Sequence, residues 1–174
     1  FQAFPAVPSL HYESYLPGKY VHANRPVLIN SWEAAYFDFT GDTIVELAKE
    51  AKALGIDMVV MDDGWFGKRN DDNSSLGDWY VNEEKLGGTL TKLIERVNVE
   101  GVKFGIWIEP EMVSEDSDLY REHPDWAITI PATSLSVPET SWFLIFPEKK
   151  YVMRYLNASV QFWIRGMWST LNGI

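Results

Sequence analysis

Cysteine is absent from this sequence of 174 residues, which excludes disulfides and thiolate metal sites. Long apolar runs are absent too. None reaches the roughly 18 residues that a membrane-spanning helix needs. The first residues also lack a basic segment followed by an apolar one, so we find no signal peptide. These absences direct attention away from secreted disulfide scaffolds and from membrane proteins.

Basic residues are in deficit. Lys and Arg number 15 against 25 Asp and Glu, for a formal net charge of −10. Nucleic acids and anionic membranes both require a basic surface, so we expect neither as a partner. A neutral substrate such as a sugar is compatible with this charge. Apolar residues make up 46% of the chain and include eight Trp, which is ample material for a hydrophobic core.

Strand and helix patterns alternate three times along the chain. Residues 1–24 carry several Pro and Gly breaks, and we interpret them as a linker or the edge of a preceding domain. The remainder, 25–174, is interpreted as one α/β unit. Its predicted strands are 25–32, 56–66 and 102–113, its predicted helices are 41–55, 90–101 and 114–126, and weaker patterns suggest a strand at 141–146 and a helix at 148–165.

This alternation is typical of βαβ units and a parallel sheet. A doubly wound fold would show a Gly-rich first turn, and none is present. Polar and aromatic residues instead follow each strand, which is where a (β/α)8 TIM barrel places its chemistry. A barrel needs about 250 residues, so we predict that only the N-terminal part of a barrel lies in this chain.

The paired carboxylates Asp62 and Asp63 follow the apolar second strand directly. Burying two carboxylates is costly unless they are paired, hydrogen-bonded or in contact with a ligand. Gly64 allows the strand to turn, so that both side chains reach one ligand and each accepts a sugar hydroxyl. The alternative is that one of them caps a turn while the other pairs with an arginine.

Two tryptophans, Trp32 and Trp107, follow the first and third predicted strands, which we expect to be neighbours. An indole offers a flat apolar face to the C–H side of a pyranose and one N–H donor. Core packing is the alternative for both. Trp65 and Trp79 are interpreted as possible anchors of the intervening loop.

Glu109 and Glu111 flank Pro110, and alternate strand residues face the same way, so both suit acid/base chemistry. A salt bridge is the favoured alternative. Together with the aspartates, these carboxylates also suggest a magnesium site. The set of ligands matches no defined motif, however, and we predict no metal. The three histidines are interpreted as structural: His11, His22 and His123.

Three long stretches carry a family resemblance: "RPVLINSWEAAYFDF", "DDGWFGKRNDDNSSLGDW" and "KFGIWIEPEMVSEDSDLYREHPDW". In this order and spacing, from about Arg25 to Ile130, they resemble the bacterial α-galactosidases (melibiases) of glycoside hydrolase family 36. The resemblance implies a (β/α)8 catalytic barrel after a β-sandwich domain. It also implies retaining hydrolysis of terminal α-galactosyl residues in melibiose and raffinose-type sugars.

Further expectations come from the same resemblance. It implies no cofactor, a cytoplasmic location and a homo-oligomer, commonly a tetramer. The residues matching the substrate site are Asp62 and Asp63, which would bind galactose hydroxyls, and Trp32 and Trp107, which would line the −1 subsite. The family's nucleophile lies in a strand reading roughly Lys-Trp-Asp-Met-Asn. No such strand occurs here, and no aspartate follows Asp125.

A retaining glycosidase needs two carboxyl groups about 5 Å apart. Because neither family residue is found, we predict no catalytic residue in this chain and no turnover by the chain alone. Three alternatives stay open: a non-catalytic galactose-binding or structural fragment, a related α-glycosyl-transferring barrel, and a metal-dependent barrel enzyme.

Overall fold

The computed structural model describes residues 24–128 and the backbone of residues 142–143. Three parallel strands and the helices between them form the main body. In chain order the elements are β1 (Leu28–Asn30), α1 (Trp32–Ala35), α2 (Gly41–Ala53), β2 (Met58–Met61), α3 (Glu83–Leu86), α4 (Leu90–Val99), β3 (Lys103–Ile106), β4 (Met112–Val113), α5 (Asp118–Glu122), a 3-10 turn (Pro124–Trp126) and β5 (Trp142–Phe143).

The sheet has the order β1-β2-β3, and both pairings are parallel. Val59 stands beside Ile29 on one side and Phe104 on the other. Because β2 lies between β1 and β3, the expectation that the strands before Trp32 and Trp107 are neighbours is wrong. Both tryptophans still follow strands at the same edge of the sheet, since parallel strands end together.

Helices α2 and α4 cover one face of the sheet. Thr40 caps the start of α2 with a capping box: its side chain accepts from the Thr43 amide, and the Thr43 side chain accepts from the Thr40 amide. Thr89 caps α4 with its side chain, which accepts from the Lys92 amide. Helical spacing then places apolar residues on one side of each helix. The buried cluster they form with the sheet contains Ile44, Ala48, Ala51, Val59, Met61, Leu93 and Val97.

The third predicted strand is shorter than its pattern indicated. It ends at Ile106, and Met112–Val113 forms β4, which pairs antiparallel with Trp142–Phe143. The strand is interrupted around Pro110, because proline has no amide hydrogen to donate to a neighbouring strand. The weak strand pattern at 141–146 is therefore confirmed at two residues, whereas the possible helix at 148–165 lies outside the described residues.

The predicted helix at 114–126 is also divided. Residues 114–117 form a turn, α5 occupies Asp118–Glu122, and a 3-10 turn follows from Pro124. Ser117 accepts from the Tyr120 amide and so sets the start of α5, while Pro124 disfavours helical geometry at the residue before it. Throughout the part of the chain that is described, every helix is too short or too polar to span a bilayer.

Candidate functional site

The carboxyl ends of the three strands meet in a small area. The Ser31 amide donates to the Val60 carbonyl at 3.0 Å, and the Trp107 amide donates to the Met61 carbonyl at 2.9 Å. The Ser31 hydroxyl in turn accepts from the Asp62 amide at 3.0 Å. These bonds extend the sheet by one step past its formal ends and bring the backbone at Ser31, Asp62 and Trp107 to the same edge, with Trp32 next after Ser31.

Asp62 lies half-buried at this edge. Its Oδ1 accepts the Asp63 amide at 2.8 Å, and its Oδ2 accepts the Asn30 side-chain amide at 2.5 Å. Each carboxylate oxygen has two acceptor positions, so each Asp62 oxygen keeps one for a further donor. Asn30 is itself oriented, because its Oδ1 accepts the Trp32 amide at 2.7 Å. Asp62 is thus a held carboxylate with unused acceptor capacity.

Asp63 is in a different situation, since only 5% of it is exposed. Arg69 donates through Nε to both carboxylate oxygens at 3.1 Å and through a terminal nitrogen to Oδ2 at 2.8 Å. The Gly64 amide adds a bond to Oδ1 at 2.6 Å. The alternative raised from the sequence, a turn bond combined with an arginine pair, therefore describes the surroundings of Asp63. Each of its two oxygens accepts two of these bonds, so both acceptor positions of each oxygen are occupied.

Trp32 begins the short helix α1 and is half-buried. The rings of Tyr36 and Phe37 meet it edge to face, each with a centroid distance of 5.1 Å. Two aromatic neighbours thus hold the indole while part of it stays accessible. This placement is compatible with a stacking platform.

Trp107 is half-buried after β3. Its carbonyl accepts the Trp65 indole N–H at 2.9 Å, and its ring lies 6.2 Å from the ring of Trp79. Trp65 and Trp79 are buried and pack around Phe66, with a Phe66–Trp79 centroid distance of 4.3 Å. The interpretation of Trp65 and Trp79 as loop anchors agrees with this packing, and Trp107 rests on the cluster they form.

The segment 66–81, here called the strand-2 loop, is more ordered than its polar sequence indicated. It is closed by a bridge between Phe66 and Val81. Inside it lie several buried polar residues: Arg69, Ser75 and Asp78. Two hydrogen bonds join the loop to Ser114. The Ser114 amide donates to the Leu76 carbonyl at 2.8 Å, and the Leu76 amide donates to the Ser114 hydroxyl at 3.1 Å. The loop is therefore part of the packed body.

Sequence reasoning missed three residues that surround the aspartates: Arg69, Phe37 and Lys85. Lys85 donates from Nζ to the Phe37 carbonyl at 2.7 Å and lies 4.6 Å from the Phe39 ring centroid. Burial lowers the pKa of this amine below its ordinary value, against the attraction of Asp63 and Asp38. In the sequence, "KRNDDNSS" has the composition of a solvated loop, so nothing marked Arg69 as buried.

Glu109 and Glu111 do not form a matched pair. Glu109 is half-buried and Glu111 is exposed. Burial raises the pKa of Glu109 above its ordinary 4.5, and the charges of Glu111 and Asp63 raise it further. Among the described residues neither side chain takes part in an ion pair or a hydrogen bond, so the salt bridge favoured from the sequence is not observed there.

Metal coordination finds no support in the same region. Over residues 24–128, the His, Asp and Glu side chains nowhere form a group of three suited to hold an ion. His123 stacks on Trp126 with a centroid distance of 3.8 Å and an interplanar angle of 2°, which agrees with its structural interpretation. His11 and His22 lie outside the described residues.

Comparison with known families gives a match to the Melibiase model over residues 7–164. The match extends beyond the three motif-bearing stretches on both sides. It accounts for most of the chain, including residues after Ile130, where the motifs were no longer recognisable.

Individual relatives agree with this match. The bifunctional alpha-galactosidase/sucrose kinase AgaSK of Mediterraneibacter gnavus is 83% identical over 112 residues, which are 64% of this chain and 12% of that protein. Alpha-galactosidase AgaA of Geobacillus stearothermophilus is 55% identical over 114 residues, 66% of this chain and 16% of that protein. The chain thus spans under a fifth of the length of these relatives.

Solved structures show the same relationship. A variant of the family 36 enzyme AgaA from Geobacillus stearothermophilus, crystallised with raffinose, is 43% identical, with a TM-score of 0.77 over 87% of this chain and 21% of that one. These comparisons confirm the resemblance to glycoside hydrolase family 36. They also confirm the fold: β1 to β3 are strands of a partial (β/α)8 barrel.

Proposed function

This chain belongs to the melibiase family of α-galactosidases, and from that premise we propose that it supplies part of the sugar-recognition site of a retaining α-galactosidase. The whole enzyme would release terminal α-galactosyl residues from melibiose and raffinose-type oligosaccharides by double displacement. Raffinose is the sugar found in the related AgaA structure.

One observation supports this proposal above the others. Asp62 is a fixed, half-buried carboxylate with an unused acceptor position on each oxygen, and a half-buried tryptophan follows each of the two strands that flank β2. Sugars are bound by this combination, because a hydroxyl donates a stronger hydrogen bond to a carboxylate than to a neutral acceptor and the C–H face of the ring packs on a flat apolar surface.

We assign the four predicted residues on that basis. Asp62 would accept hydroxyls of the terminal galactose through both oxygens. Asp63 would bind a hydroxyl only in exchange for one of its bonds to Arg69 or Gly64, which occupy both acceptor positions of each oxygen. Trp32 and Trp107 would line the sugar's apolar faces. The magnitude of each charge-assisted bond is about 1.5–3 kcal/mol.

The catalytic pair is proposed to lie elsewhere in the complete enzyme. Since no aspartate follows Asp125, this chain by itself would bind galactose without hydrolysing a galactoside. A cytoplasmic location, a cofactor-independent reaction and a homo-oligomer, commonly a tetramer, belong to the same proposal. A galactose-binding piece without catalysis is the second candidate, and the missing aspartates are the observation that favours it.

The test is a hybrid enzyme. The segment of AgaSK that matches residues 24–128 is replaced by those residues, so that AgaSK supplies the rest of the barrel. We expect the hybrid to hydrolyse p-nitrophenyl α-galactoside, and Asp62→Asn to lower kcat/KM about 10- to 100-fold, which corresponds to one lost charge-assisted bond. The matched control is Asp42→Asn, at an exposed position on α2 paired with Arg96.

Two results would decide against the proposal. An active hybrid in which Asp62→Asn and Asp42→Asn behave alike would remove Asp62 from the sugar site. Turnover of the same substrate by the purified 174-residue chain, abolished by Asp62→Asn, would show that the chain carries its own catalytic group.

A further inference from the structure

We propose that Arg69 is a positioning residue that holds two sugar-contacting groups at once: the Asp63 carboxylate directly and the Trp32 indole through the ring of Phe37. The inference rests on the proposed function, because it concerns how the galactose site keeps its shape. It adds a residue from the strand-2 loop to a site otherwise built from strand ends.

The first link is the ion pair between Arg69 and Asp63. The guanidinium approaches the carboxylate as a fork, with Nε 3.1 Å from both oxygens and a terminal nitrogen 2.8 Å from Oδ2. Only 5% of the Arg69 side chain and 7% of the Asp63 side chain are exposed. A two-point contact between planar groups fixes the rotation of the carboxylate, which a single-point contact does not.

The second link anchors the guanidinium to its own loop. The other terminal nitrogen of Arg69 donates to the Ser74 carbonyl at 2.9 Å. The loop is closed by the Phe66–Val81 bridge and by an Asn82 side-chain bond to the Gly67 carbonyl at 3.1 Å. Arg69 therefore has a fixed base from which to orient Asp63.

The third link leads to Trp32. The guanidinium carbon of Arg69 lies 5.6 Å from the centroid of the Phe37 ring, within cation–π range. The Phe37 ring meets Trp32 edge to face at 5.1 Å and 89°. The Phe37 carbonyl is held in turn by Lys85 at 2.7 Å. One continuous set of contacts thus joins the carboxylate at the end of β2 to the indole after β1.

Gly64 shows how close this packing is. Its φ is +97°, and a Cβ at that position would lie 3.0 Å from a ring carbon of Phe37 and 3.3 Å from the Lys85 Nζ. A side chain here would be strained by the backbone and would displace the ring. The glycine therefore lets Phe37 approach the turn that carries Asp63.

The two contacts can be tested separately in the hybrid enzyme. Arg69→Lys keeps the charge and removes the fork, while Phe37→Leu keeps apolar volume and removes the aromatic ring between Arg69 and Trp32. KM and kcat for p-nitrophenyl α-galactoside, the inhibition constant of D-galactose and the melting temperature are measured for each. Arg96→Lys is the control, because Arg96 also pairs with an aspartate, Asp42, but through exposed side chains on the helices α4 and α2.

We expect Arg69→Lys to raise KM and the galactose inhibition constant together by at least about tenfold, since displacing a binding group by a fraction of an ångström loses its bonds. Phe37→Leu should raise both in the same direction by less. The control should leave both unchanged. A merely structural role would lower the melting temperature and leave the KM of the folded enzyme as it was.

The outcomes separate this inference from the proposed function. If Asp62→Asn weakens galactose binding while Arg69→Lys and Phe37→Leu leave the KM and inhibition constant unchanged, the positioning role is wrong and the galactose site stands. If Asp62→Asn has no effect on galactose binding, the proposed function itself is wrong.

Discussion

The two faces of the three-stranded sheet differ in what covers them. On one face, Val59 and Met61 are completely buried beneath helices α2 and α4. On the other face, Leu28 is 52% exposed and Asn30 is exposed beside it. Successive strand residues point to opposite faces, so the covered residues of β2 alternate with the half-buried Met58 and Val60.

The two aspartates that follow β2 also differ in their surroundings. Asp62 is half-buried and accepts the side-chain amide of Asn30, a residue on the open face. Asp63 lies two residues past the end of β2 and is buried against Arg69. Two identical and adjacent residues therefore have different surroundings. The accessible aspartate is available to a ligand, and the buried one belongs mainly to the framework that shapes the site.

The largest expected effect distinguishes a buried ion pair from an exposed one by its contribution to stability. Arg69→Met leaves the Asp63 charge buried and unpaired, which should lower the free energy of unfolding by about 3–5 kcal/mol. Arg121→Met breaks an ion pair with Asp118 whose side chains are 58% and 59% exposed, and should cost at most about 1 kcal/mol. Urea unfolding followed by tryptophan fluorescence measures both. Equal losses would show that burial does not strengthen the dependence of Asp63 on Arg69.

The second prediction uses two methionines of the same strand. Met61→Ala opens a cavity under the helices and should cost about 2–5 kcal/mol. Met58→Ala, on the open face, should cost clearly less in the 174-residue chain. In the hybrid enzyme, where the rest of the barrel is present, the cost of Met58→Ala should rise. A Met58 cost that is the same in both would show that this face is not completed by further barrel strands.

The smallest expected effect is a pH dependence from Glu109. Its pKa is raised in the folded state above the ordinary 4.5, so the folded protein holds this proton more tightly than the unfolded chain. The free energy of unfolding should therefore fall as pH increases from 4.5 through the folded pKa of Glu109. Glu109→Gln should flatten that decrease, and Glu95→Gln, at an exposed position on α4, serves as the control. Indistinguishable pH profiles of the two variants would show that burial does not act on Glu109.

Much of the body was predictable because its causes are local. Thr40 and Thr89 cap the helices that cover the sheet, and the apolar spacing in each helix matches its buried side. The prediction that Asp62 follows a buried strand needed only the run of apolar residues before it. Strand lengths were overestimated, since an apolar pattern continues past the point where partner strands stop.

The contacts around the aspartates were not predictable in the same way. Arg69 comes six residues after Asp63 in a run of charged and polar residues that reads as solvated loop. Phe37 and Lys85 come from two other segments, 48 residues apart, and meet only in the folded chain. No local pattern encodes such a meeting, because the loop must first close over the strand end before these side chains are neighbours.

The sequence by itself determined the family, the parallel α/β architecture and the position of Asp62, Asp63, Trp32 and Trp107 after strands, because motif order, periodicity and capping are written along the chain. Only the tertiary structure decided how the two aspartates divide their surroundings. Burial and ion pairing depend on which segments of the folded chain pack against a residue. That is why Asp62 keeps acceptors for a ligand and Asp63 is held by Arg69.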